Sequence, residues 1–133
     1  MTRAGDEVKR DDVEALAQRA FDALPAVFRR HLRSVAIRVE DFPDPDTQTA
    51  LRLESPFALL GLYHGVALPH KSVSDPQPHV YMIFLYRQPI LAYCRATGED
   101  LADVVRHVLI HEIGHHFGFS DADMARIERE SRE

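Results

Sequence analysis

The run LADVVRHVLIHEIGHHFG, residues 101–118, constrains the fold more than any other stretch of the chain. At about 100° per residue, Leu101, Val104, Val105, Val108 and Leu109 share one side of a helix, and Ile110, Ile113 and Phe117 widen the apolar arc past half the circumference. A helix this apolar must be largely buried, so the rest of the chain has to pack around it. Thr97 is placed to cap it with Asp100 as capping-box partner, and Glu99 and Asp100 suit the positive end of its dipole. Gly118 can end it in the left-handed conformation. The expected span is about Gly98 to Phe117.

The remaining pattern supplies that packing. From Glu7 to about Leu32, Val13, Leu16, Ala17, Ala20, Phe21, Leu24, Val27 and Phe28 recur at three- and four-residue steps, a helical face with a kink or break at Pro25. SVAIRVEDFP alternates Val35, Ile37 and Val39 against Arg38 and Glu40, a half-buried strand ending at Pro43, and DFPDPDTQ then reads as a turn or loop. LLGLYHGVAL, 59–68, is a short strand or turn with close backbone approach at its glycines, and 65–79, with three prolines and no period, is a long surface loop. VYMIFLY, 80–86, is continuously apolar and is expected as a strand buried on both faces. The last residues, ERESRE, are expected to fray.

A chain of 133 residues has room for one domain, expected over 1–133, and its 45% hydrophobic and 28% charged residues are ordinary for a soluble globular protein. The net charge of −5 argues against a broad nucleic-acid surface, which needs clustered Lys and Arg. The N-terminus is charged throughout without the apolar core of a signal peptide, and no run approaches the ~18 apolar residues that span a bilayer, so a cytoplasmic protein without a membrane partner is expected. Cys94 is the only cysteine, which excludes a multi-thiolate zinc site and leaves histidine and carboxylate as the ligands for any metal.

Those ligands gather in HEIGHHFGFSD, residues 111–121. His111 and His115 are four apart, so their Cβ atoms lie about 5–6 Å from each other on one face, where two imidazoles can converge on one ion. Two buried neutral imidazoles are otherwise hard to satisfy. Glu112 stands about 100° round the helix from His111, poorly placed to chelate but able to reach a water on the metal as general base. After the reversal at Gly118, Asp121 can return a carboxylate to the same ion, with Asp123 as the fallback and His116 as a weaker candidate pointing away from His115.

HEIGHHFGFSD resembles the extended zinc motif of metzincin-type metallopeptidases, H-E-x-x-H-x-x-G-x-x-H/D, with aspartate as third ligand. The chain resembles more closely the small bacterial minimal-zincin family of zincin-like metallopeptidases, from about DFP (41–43) through LLGLYHG (59–65) and FLYRQPI (84–90) to the motif. The resemblance implies Zn²⁺ on His111, His115 and Asp121, catalysis by Glu112, and an α+β fold: a small mixed β-sheet packed against the N-terminal helix and the buried active-site helix. Met124 follows Asp121 too soon for the methionine turn of larger metzincins, so none is expected.

The expected function is a zinc-dependent metallopeptidase that acts on a peptide or protein substrate. A zinc-stabilised binding or regulatory module without hydrolysis would use the same ligands but has no need of Glu112. A bacterial endoribonuclease family has a related three-histidine spacing, yet it lacks that glutamate and needs a basic groove. His107, one turn before His111, is expected to pack behind the site, and His64, His70 and His79 to be surface or turn residues. Tyr63 and Tyr86 offer hydroxyls that could meet an oxyanion, although buried tyrosine is the default. Cys94 reads as a small packed side chain.

Overall fold

The computed structural model describes residues 7–67, 79–118 and 121–132. Its elements run α1 (Arg10–Asp22), α2 (Ala26–Arg29), β1 (Val35–Glu40), α3 (Pro45–Ala50), β2 (Gly61–Ala67), β3 (His79–Tyr86), α4 (Arg87–Thr97), α5 (Leu101–Phe117) and α6 (Asp121–Arg132). The three strands form one mixed sheet in the order β1-β3-β2, with β1 parallel and β2 antiparallel to β3. This is the α+β architecture expected. Among the described residues no helix is long and apolar enough to cross a membrane.

Register decides which side chains meet the helices. Ile37 and Tyr63 both stand opposite Ile83, so Val35, Ile37, Val39, Tyr81, Ile83, Leu85, Gly61 and Tyr63 share one face of the sheet. On that face α1 and α5 pack against each other and against the strands. Val13, Ala17, Val39, Ile83, Leu85, Ile90, Val105, Leu109 and Ile113 form its core, each at most 4% exposed. The other face carries Arg38, Glu40, Leu62, His64, Phe84 and Tyr86, which with Phe42, Asp44 and Thr47 line a cleft of about 430 Å³. For this reason β3 is not buried on both faces as its unbroken apolar run suggests: Ile83 and Leu85 are buried, while Met82 and Phe84 are half-buried.

Several element boundaries differ from expectation, and one is sharpened. At Pro25 the break, one of the two outcomes expected there, is what forms: α1 ends at Asp22 and α2 starts at Ala26 with Pro25 as its cap. DFPDPDTQ is not all loop, because the Asp44 side chain accepts from Thr47 N–H at 2.7 Å and Pro45 opens α3, a combination that favours a helix start. A whole helix, α4, precedes α5: Pro89 lies in its first turn, where a missing N–H costs nothing, and Gly98 ends it at φ 76°. Thr97 thus belongs to α4, and Asp100 caps α5 by accepting from Asp103 N–H at 3.2 Å. The C-terminal residues continue α6 to Arg132, where Ala122, Ala125, Arg126, Arg129 and Glu130 are strong helix formers and Arg126 pairs with Asp123 one turn back. The strands also extend into the expected loop 65–79, of which residues 68–78, His70 among them, lie outside the described ones.

One polar tie holds the ends of these elements together. The half-buried Arg87 at the start of α4 donates through Nε to Asp41 Oδ1 at 2.8 Å, just beyond β1, and through a terminal nitrogen to the Val8 carbonyl ahead of α1. The Arg87 hydrogen bond, above all, holds the Asp41 carboxyl below its ordinary range. Because the folded value is depressed, this stabilisation is complete above the unfolded value of about 4 and is lost as pH falls through the folded one. Asp41→Asn should therefore lower stability slightly at pH 7, by less than about 1 kcal/mol for so exposed a carboxylate, seen as a small drop in Tm, and the gap to wild type should close as thermal scans are taken to pH below the ordinary carboxylate range.

Candidate metal centre

Helix α5 carries the motif on the flank that faces away from the core. Val104, Val105, Val108, Leu109, Ile110 and Ile113 are buried, whereas His107, His111 and His115 emerge on an exposed stripe. The imidazoles of His111 and His115 are accordingly exposed rather than buried, with ring centroids 4.9 Å apart. His107 does not pack behind the site. It is exposed, its ring lies 6.2 Å from that of His111, and it lines a cavity of about 530 Å³ with Leu60, Glu99, Asp103 and Val108.

Glu112 is the charged side chain that the fold buries beside them, at 6% exposure. Its Oε1 lies 3.2 Å from His115 Nδ1. The main-chain N–H of Tyr63 also donates to its carboxylate. Burial pushes the carboxyl above its ordinary range, and the two imidazoles, the Tyr63 N–H and the His115 contact pull against that rise. A carboxylate so placed is desolvated yet held, with its proton affinity raised by burial.

Strand β2 brings the Tyr63 amide to this carboxylate, and the hydrogen-bond pattern explains how. Tyr86 N–H donates to the Leu60 carbonyl at 2.9 Å, which makes Leu60 and Tyr86 a bonded pair. Antiparallel pairs alternate, so the main-chain groups of Leu62 and His64 turn toward β3 while those of Gly61, Tyr63 and Gly65 turn to the strand's free edge. Gly61 permits the approach: a Cβ there would lie 2.6 Å from Val108 Cγ1 and 3.4 Å from Glu112 Cγ. The glycines of LLGLYHG were the sequence sign of this close contact; that Tyr63 offers its amide to Glu112 was not legible.

The other expected residues fall as follows. Gly118 ends α5 at φ 67°, and Asp121 opens α6, its side chain lying outside the described residues. Among the described residues no three His, Cys, Asp or Glu side chains gather into a metal-holding group, so these supply two imidazoles of a possible set. His116 turns away from His115 and hydrogen-bonds the Tyr63 hydroxyl through Nδ1, at 2.7 Å. Tyr63 is therefore committed to His116, and Tyr86, pushed up to about 12 chiefly by burial, lines the cleft on the opposite face of the sheet. Neither tyrosine hydroxyl is shown at the Glu112 site. Exposed His64 lines that same outer cleft, and Cys94 packs half-buried against the core, its thiol pushed up by burial.

No match to a curated protein was found. The model of a family described as zincin-like metallopeptidase matches residues 32–131, from the turn before β1 to the end of α6, and so takes in both the helix with its exposed histidines and the strand laid over Glu112. Covering well over half of the 133 residues, that match places the chain in the zincin-like metallopeptidase family.

Proposed function

We propose that the protein is a zinc-dependent peptidase in which His111, His115 and Asp121 hold the metal and Glu112 is the general base. The observation that carries this reading is the buried Glu112 carboxylate, set between two exposed imidazoles and beneath the free edge of a strand. The two imidazoles and a carboxylate form a donor set suited to Zn²⁺, and the His115 contact engages Nδ1, leaving Nε2 for the ion. Bound there, zinc supplies a Lewis acid that polarises the scissile carbonyl and acidifies a water. Asp121 enters from the sequence pattern alone.

The chain's own residues account for the remaining steps. An extended peptide adds to the free edge of β2, where the main-chain groups of Gly61 and Gly65 can pair with it. Glu112 takes a proton from the attacking water as the water oxygen bonds to the carbonyl carbon, then delivers it to the amine nitrogen as the C–N bond breaks. Raised by burial, its carboxyl can hold that proton between the two transfers.

A peptide-library digestion with metal analysis tests the reading. The expected result is about one zinc per chain and internal cleavage that a chelator abolishes and added zinc restores. Zinc uptake with no cleavage in a broad library would instead favour a zinc-binding interaction module, and no uptake at all would sink the site.

A further inference from the structure

Tyr63 touches α5 twice, once through its main chain and once through its side chain. Its N–H, on the free edge of β2, holds the Glu112 carboxylate, and its hydroxyl hydrogen-bonds His116 Nδ1 at 2.7 Å. The His116 ring also hydrogen-bonds the main chain of His31. Aromatic rings enclose this link. Tyr81 and Phe117 approach His116 edge-on at 4.9 and 5.2 Å, and Tyr63 lies parallel to Tyr81 at 6.0 Å. The imidazole beside a proposed ligand is thereby tied to the chain after α2 and to the sheet, and is not left to turn toward His115.

Edge strands are the easiest part of a sheet to displace, and only one side of β2 is bonded within this sheet. A catalytic carboxylate that depends on an edge-strand amide needs that strand fixed. We propose that His116 is a positioning residue for the hydrolysis proposed above: by holding the Tyr63 hydroxyl it fixes the part of β2 whose main-chain N–H orients Glu112. The inference rests on the peptidase reading for its consequence in turnover, but the link itself has a separate signature in amide exchange.

The test compares Tyr63→Phe, His116→Leu and His116→Gln with wild type, all zinc-loaded. Tyr63→Phe removes one oxygen and leaves the ring packing, so it should fold normally, keep its zinc and lose roughly tenfold in kcat with KM little changed. His116→Leu should lose as much, and in the Tyr63→Phe background it should add almost nothing. His116→Gln, whose amide oxygen can still accept from Tyr63, should recover part of the loss. Hydrogen–deuterium exchange should show the amide at position 63 exchanging faster in Tyr63→Phe and His116→Leu. Unchanged kcat in Tyr63→Phe, additive losses in the double variant, or unchanged exchange at position 63 would each overturn the proposal. If wild type cleaves nothing yet the exchange effect appears, the peptidase reading falls and the positioning link stands.

Discussion

Glu112→Gln should retain about one zinc per chain and lose hydrolysis by roughly 10²–10⁴, the range expected when a general base is removed. The substitution keeps the volume of a side chain that is 6% exposed, and the amide oxygen can still accept from the Tyr63 N–H. What it removes is the capacity to take up a proton and release it to the leaving amine. The fold should not suffer at neutral pH, because burial raises the Glu112 carboxyl and an ionised carboxylate there is disfavoured relative to the unfolded chain. His111→Ala should do the reverse, bringing bound zinc from about one per chain to near zero with little change in the metal-free Tm, since the exposed His111 ring is not part of the core. Kinetics and metal analysis of the two variants side by side separate the roles. Residual activity of Glu112→Gln within tenfold of wild type would remove Glu112 from the mechanism.

The helix, its apolar arc, the terminal Gly118 and the histidine spacing were all legible because they are local, set by a 3.6-residue period and by one backbone conformation. The strand 35–40 was legible from its alternation for the same reason. What the sequence hid was set by tertiary context. The apolar run of β3 does not reveal that Phe84 faces an open cleft, or that Met82 and Phe84 are only half-buried. The segment around Pro89 shows no helix start in the sequence, yet Pro89 sits in the first turn of α4, where the rule against proline does not apply. In the site, a contact 53 residues apart in the chain, Tyr63 to His116, leaves no periodic trace in either segment. The exposure of His111 and His115 was misjudged because the arc of α5 passes half the circumference, and only the packing shows which narrow flank is left in solvent.

Gly61 is the residue at which fold and site are most tightly joined, and Gly61→Ala should cost about 1–3 kcal/mol, seen as a lowered Tm and denaturation midpoint. A Cβ at this position would meet Val108 Cγ1 at 2.6 Å and the Phe84 carbonyl oxygen at 3.1 Å. Neither neighbour gives way easily. Val108 is β-branched within a helix and has essentially one rotamer, and the Phe84 oxygen belongs to the central strand. The relief left is for β2 to lift from α5, and that lengthens the contact between the Tyr63 amide and Glu112. Turnover should thus fall along with stability, while the zinc content, which the proposed function assigns to His111, His115 and Asp121, should hold. Val108→Ala would remove the closer clash at the expense of a cavity in the core. The two substitutions should therefore couple: Gly61→Ala should be markedly less harmful in the Val108→Ala background than in wild type. Additive losses in stability would mean that β2 does not rest on Val108 at Gly61, and that the approach of the strand to Glu112 is set elsewhere along its length.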